Sequence, residues 1–214
     1  MIRNILIKSV NWIGDAVRII PAISMLKKEF PSSKVVIIAK QWVKDIFEDN
    51  PFIDEIIVYP ETFLKRINLI KKIRKRKFDL GITFQPRSYR AVLFLYFAKI
   101  PLRIGYGFHL RKLFLNYWID LPKKTIHDQE LFLNLIKSLD IDEQKKEFYI
   151  AIKNEDLVWA DEFLKKNNLK DTDLIIGLNP GSYSILKRWP FERFSSLADR
   201  LIEKYNAKII VFCG

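Results

Sequence analysis

NILIKSVNWIGDAVRIIPAISMLKKEF, residues 4–30, decides the class of fold. Asn4 to Ser9 is a short run of apolar and β-branched residues, the composition of a buried strand. From Gly14 to Glu29 apolar side chains return at Val17, Ile20, Ala22, Ile23 and Leu26, which is helical spacing, and Pro31 stops the helix. A strand that turns straight into an amphipathic helix is the opening of a parallel α/β unit.

The same alternation repeats downstream. The residue pattern predicts strands at Val35 to Ala39, Glu55 to Tyr59, Leu80 to Phe84 and Arg103 to Tyr106, and helices at Val43 to Glu48, Phe63 to Lys75, Tyr89 to Ala98 and Asp128 to Leu139. Phe148 to Ile152 reads as one more extended run, followed by a helix from Glu155 to Asn167. The polar stretch Asn167 to Asp173 reads as a linker. Beyond it, Leu174 to Asn179, the helix Phe194 to Tyr205 and Lys208 to Phe212 make one βαβ beginning. The expected organisation is a complete doubly wound domain over residues 1–168 and the start of a second over 169–214. A βαβ piece of that size buries too little apolar area to stand alone, so it is expected to pack on the first domain or to continue in a longer chain.

Composition narrows the class. Hydrophobic residues make up 49% of 214 residues and aromatics 14%, enough for a packed core. The single cysteine, Cys213, has no disulfide partner and points to a reducing compartment. No signal-peptide pattern opens the chain, and the longest apolar runs fall well short of the ~20 residues of a membrane-spanning helix. The formal charge of +12 suits anionic partners in general, whether nucleic acid, anionic lipid or phosphorylated sugar. No zinc-ligand spacing and no aromatic-basic RNA-binding motif is present, so nucleic acid is not expected.

Two loops carry the residues suited to chemistry. In the first, Trp12, Gly14 and Asp15 stand where the first strand hands over to the first helix, the end of a parallel sheet at which ligands bind. Gly14 leaves room for a ligand, and free amides at the helix start favour an anion. Asp15 is either a catalytic carboxylate or a helix-capping one; a helix start also lowers a carboxylate's pKa and makes it a weaker base. The second loop, Asn179 to Pro190, holds Gly181, Ser182, Tyr183 and Lys187 next to Arg188. Those are the donors, close backbone and charge that a diphosphate needs, although ordinary solvated surface cations would look the same. It lacks the Gly-Lys-Ser/Thr closure of a Walker loop.

Taken together, VNWIGDAVRIIPAISMLKKEFP, FDLGITFQPRSYRAVLFLYFAKIPLRIGYG, HDQELFLNLI and NPGSYSILKRWPFERFSSLAD resemble the ADP-heptose:lipopolysaccharide heptosyltransferases. The resemblance implies a GT-B architecture, in which a first Rossmann-like domain holds the acceptor and a second holds the nucleotide sugar. It implies inverting transfer of heptose from ADP-heptose to the Kdo/heptose inner core of lipopolysaccharide, without a metal or other cofactor. Asp15 would be the general base; Lys187 would neutralise the departing ADP, with Ser182 and Tyr183 near the phosphates; Trp12, Gly14 and Gly181 would shape their loops. Arg87 and Arg90 are expected to take an acceptor carboxylate of the Kdo type. The implied setting is cytoplasmic, at the inner face of the inner membrane of a Gram-negative cell. Family members run on beyond the point corresponding to Gly214, so the donor pocket is expected to be incomplete; the alternative is a non-catalytic acceptor-binding or partner-binding module.

Outside those loops, Lys65 to Lys77 holds eight Lys or Arg and no acid. Its apolar positions Ile67, Leu69, Ile70 and Ile73 fit a surface helix, with docking on anionic lipid as the sharper reading. His109 and His127 stand apart and suit structural hydrogen bonding.

Overall fold

The computed structural model describes residues 2–124, 126–182 and 184–212. Tyr183 and Cys213, both singled out above, lie outside the described residues. The chain forms two compact units, Met1–Ala151 and Ile152–Gly214.

The first unit is built on six parallel strands: β1 (Asn4–Lys8), β2 (Lys34–Ala39), β3 (Glu55–Val58), β4 (Leu80–Thr83), β5 (Leu102–Gly107) and β6 (Tyr117–Asp120). Their order across the sheet is β3-β2-β1-β4-β5-β6, the mononucleotide-binding order of a Rossmann domain. Helices α1 (Ile13–Glu29), α2 (Phe63–Lys75), α3 (Tyr89–Phe97) and α4 (Asp128–Lys137) cover it.

Alternation along the strands explains why both faces are covered. Ile5 and Ile7 point into one core with Ile19, Ile20 and Ile23 of α1 and with Leu135 and Ile136 of α4. Leu6 points the other way, to Leu69 and Ile73 of α2 and Phe94 and Leu95 of α3. A strand buried on two faces must be apolar throughout, which is why these strands read as unbroken hydrophobic runs.

Four expectations are corrected. The helix expected at Val43 to Glu48 is a 3₁₀ segment, Gln41–Phe47, that stops before Glu48, and is not α-helical. Phe148 to Ile152 is not a strand, and Phe148 is exposed. β6 was not expected, because an edge strand whose Tyr117 and Trp118 face solvent carries no alternating apolar signal. The helix expected from Phe194 to Tyr205 begins at Phe191, three residues earlier, directly after Pro190.

The second unit contains α5 (Asn154–Lys166), β7 (Ile175–Leu178), α6 (Phe191–Tyr205) and β8 (Lys208–Val211), with β7 and β8 parallel. The expected boundary at residue 168 differs from the observed division after Ala151, so α5 goes with the second unit. Phe163 and Asn167 share a cavity with Ile202 of α6 and Ile209 of β8, which explains that grouping. Among the described residues of this unit only Ala207 is buried. No described helix is long and apolar enough to cross a membrane.

Candidate functional site

Strand order fixes where a ligand can sit. The chain runs outward from β1 to β3, then crosses back to place β4 on the other side of β1, so the loops after β1 and β4 part from each other. A crevice opens at that switch point. Here it is a cleft of about 520 Å³, and its lining includes Trp12, Asp15, Gln85, Arg87, Lys123 and Asp128.

Asp15 belongs to the third residue position of α1, but its carboxylate does not close the helix start. It accepts a hydrogen bond from Arg18 Nη1 at 3.1 Å, and the same nitrogen donates to Asp128 Oδ2 at 2.9 Å. Burial pushes the Asp15 carboxyl above its ordinary value, the Arg18 cation pulls it down, and the Asp128 carboxylate pushes it up again; the net shift is upward. The net shift is opposite to the downward one expected from a helix start, with desolvation as its largest cause. A half-buried carboxylate with a raised pKa, steadied by one cation at the mouth of a cleft, is suited to accept a proton from a bound hydroxyl.

The rest of the first loop takes its place around Asp15. Trp12 is the N-cap residue of α1 and is about half exposed. A side chain at Gly14 would meet nothing within 4 Å, so the space over it is open to a ligand. Gln85 ties the two switch-point strands together: its Nε2 donates to Ser9 O. Behind Gln85 lies Arg111, whose Nη2 donates to the Gln85 carbonyl at 3.0 Å while its side chain is fully buried. Burial lowers its pKa to about 10, and its Nε and Nη1 have no hydrogen-bond partner among the described residues.

Arg87 and Arg90 part company. Arg87 is exposed and lines the cleft. Arg90, in the first turn of α3, does not line it; its charge acts instead on the Tyr59 hydroxyl. Three residues of separation across a turn and into a helix rotate the two side chains onto different faces.

Tyr59 is the centre of a cationic group that the sequence did not disclose. Lys8 Nζ lies 4.1 Å from the ring centroid, Lys40 Nζ 5.5 Å and the Arg66 guanidinium 5.3 Å. Lys8 ends β1 and is only 4% exposed. Burial, then the charges of Lys40 and Arg66, bring its pKa down to about 7. A lysine in a strand reads as a solvent-facing position, and only the fold shows it turned inward. Asp128 was similarly read as the start of a helix; its place beside Arg18 is tertiary.

In the second unit, Gly181 N donates to Asn179 Oδ1 at 3.2 Å and Arg188 Nε donates to Ser182 O at 2.7 Å, folding the loop back on itself. Gly181, Ser182 and Arg188 line a cavity of about 540 Å³ together with Trp189 and Pro190. Lys187 ends a 3₁₀ turn, Ile185–Lys187, and is exposed. Arg188 thus holds the loop and leaves Lys187 available to a ligand. The first amides of α6 follow directly, an arrangement that favours an anion. His127 caps α4, its Nδ1 accepting from Gln129 N at 3.3 Å, and His109 stacks on Phe108.

Known proteins match this architecture. Lipooligosaccharide heptosyltransferase 2 of Haemophilus ducreyi is 26% identical over 213 residues, covering 94% of this chain and 61% of that protein. The counterpart from Campylobacter jejuni is 27% identical over 94% of this chain and 57% of its own length. The chain thus spans about three-fifths of the curated relatives. Among solved structures, a family 9 glycosyl transferase from Veillonella parvula superposes with a TM-score of 0.86 at 27% identity, over 99% of this chain and 62% of that one. An E. coli heptosyltransferase with ADP-2-deoxy-2-fluoro heptose shares the fold, with a TM-score of 0.73 at 19% identity over 99% of this chain and 69% of its own. The fold is that of GT-B glycosyltransferases. The model of glycosyltransferase family 9 (heptosyltransferase) matches residues 66–214, and the chain belongs to that family.

Proposed function

We propose that this chain supplies the acceptor-side unit and the opening of the donor-side unit of an inverting heptosyltransferase that moves heptose from ADP-heptose to the Kdo/heptose inner core of lipopolysaccharide. The observation that carries the reading is Asp15: a carboxylate at the switch-point cleft, steadied by Arg18, with its pKa raised by burial.

The chemistry follows from what each unit offers. Asp15 accepts the proton of an acceptor hydroxyl as that oxygen attacks the anomeric carbon of the donor sugar. The bond from that carbon to the diphosphate breaks, and ADP departs with its electron pair. Charge gathers on the leaving phosphate, and Lys187, with Ser182, Tyr183 and the first amides of α6, is the group of residues assigned to meet it. Protein cations and amides do this work in place of a metal or other cofactor. Arg87, at the cleft mouth, pairs with an acceptor carboxylate, for which a planar guanidinium is suited. Arg90 is left out of that role by its position beside Tyr59. The acceptor is a glycolipid, which puts the reaction at the cytoplasmic face of the inner membrane.

The test is turnover. Protein carrying this sequence, given ADP-heptose and a Kdo-lipid A type acceptor, is expected to release ADP. Asp15→Asn is expected to lower kcat by about 10²- to 10⁴-fold, the usual weight of a general base, with donor affinity little changed. Normal turnover in that variant would remove Asp15 from the mechanism.

A further inference from the structure

The positive charge of this protein is gathered in one part of it. From Thr62 to Ile119 the sequence has fourteen Lys and Arg and a single acid, Asp79, a surplus of 13 that exceeds the chain's net +12. That one carboxylate accepts from the backbone amides of Arg3 and Asn4 at 2.8 and 2.9 Å, which hold it ionised at the start of β1 and leave the surplus at 13. Arg76, the residue that follows α2, pairs with Glu55 of β3. Lys65, Lys71, Lys72 and Lys75 are exposed and have no carboxylate partner among the described residues.

The same helix presents apolar surface where a folded chain would be expected to hide it. Phe63 and Leu64, at its head, are each 73% exposed. Leu64, Lys71 and Lys75 fall seven and eleven residues apart and so share one outward stripe. Beside α2 runs β3, an outermost strand of the sheet, and between the two opens a cleft of about 930 Å³. Its floor includes Ile57, Leu69 and Ile73, and its rim Lys65, Lys72 and Arg76.

We propose that α2 and the edge strand β3 form the face by which this protein docks on an anionic phospholipid bilayer. Cations at the rim meet lipid phosphates, while Phe63 and Leu64 enter the headgroup region. A nucleic acid would satisfy the lysines and leave the exposed Phe63 and Leu64 in water, so the combination favours lipid. The face deepens the transferase reading, on which it rests for its purpose: it brings the cleft of the same unit to the surface that holds a glycolipid acceptor.

Sedimentation with phosphatidylcholine vesicles, with and without phosphatidylglycerol and free of any acceptor, tests the proposal. Binding is expected only with the anionic lipid and is expected to weaken as salt is raised. Each surface cation contributes roughly 1 kcal/mol and each 1.4 kcal/mol is tenfold, so Lys71→Gln, Lys72→Gln and Lys75→Gln together lower binding about 100-fold. Phe63→Ser with Leu64→Ser weakens it further while keeping its salt dependence. These positions are exposed, and unchanged circular dichroism confirms that the variants fold. Equal binding to neutral vesicles, no binding to anionic ones, or an unaltered triple variant overturns the proposal. So does binding of duplex DNA that displaces the vesicles and is indifferent to the Phe63 and Leu64 changes, or a dimer that the triple variant dissolves without any lipid binding. ADP affinity, measured by calorimetry, is expected to be the same in all variants; its absence in every form would count against the transferase reading and leave the docking face standing.

Discussion

Replacing Lys8 with methionine is expected to make the protein more stable at neutral pH, and by an amount that shrinks as pH rises. The side chain ends β1, is 4% exposed, and lies against Tyr59 with the Lys40 and Arg66 cations nearby. Burial holds its folded pKa at about 7, against 10.5 for an ordinary lysine. Between those values the unfolded chain binds a proton that the folded chain does not, so stability rises with pH across this window. Linkage over that interval amounts to about 4 kcal/mol of destabilisation at pH 7 and about 2 kcal/mol at pH 9. Methionine keeps the length and the apolar stem and cannot ionise. The advantage of Lys8→Met over wild type should therefore fall by about 2 kcal/mol between pH 7 and pH 9. Urea unfolding followed by circular dichroism at a series of pH values measures it, and subtracting the two proteins cancels every other titrating group. A difference that stays flat across the window, or grows with pH, would refute the argument from burial.

Two further outcomes follow from charges placed by the fold. Arg18→Met removes the cation that lowers the Asp15 pKa and leaves burial and Asp128 to raise it, so the acid limb of the kcat profile should move to higher pH; a shift the other way, or none, would detach Arg18 from Asp15. Glu55 is held down to about 2 by its hydrogen bond to Arg76, with Lys34 assisting. Its contribution is present above the ordinary carboxylate range and is lost as pH falls toward 2. Because the pair is partly exposed, Glu55→Gln should cost only about 1 kcal/mol at pH 7, with the gap between the two proteins closing in acid titrations of thermal stability.

The sequence alone determined a good deal. Strands buried on two faces must be apolar throughout, so β1, β2 and β4 announce themselves, and helices with one buried stripe repeat their apolar residues at helical spacing. The turn from β1 to α1 is local, so the sequence places Trp12, Gly14 and Asp15 at the carboxyl end of β1. The loop from Asn179 to Pro190 was legible for the same reason. Other features depend on which elements become neighbours, and no local pattern carries that information. Strand order brings β4 beside β1 and so opens the cleft; Asp128, 113 positions from Asp15, enters the site through Arg18. It also decides that Arg87 lines the cleft while Arg90 acts on Tyr59, that Lys8 is buried, and that Arg111 ends behind Gln85. Backbone conformation and apolar periodicity are set within a few residues, whereas the burial of a charged group and the field it feels are set by whatever the fold packs around it.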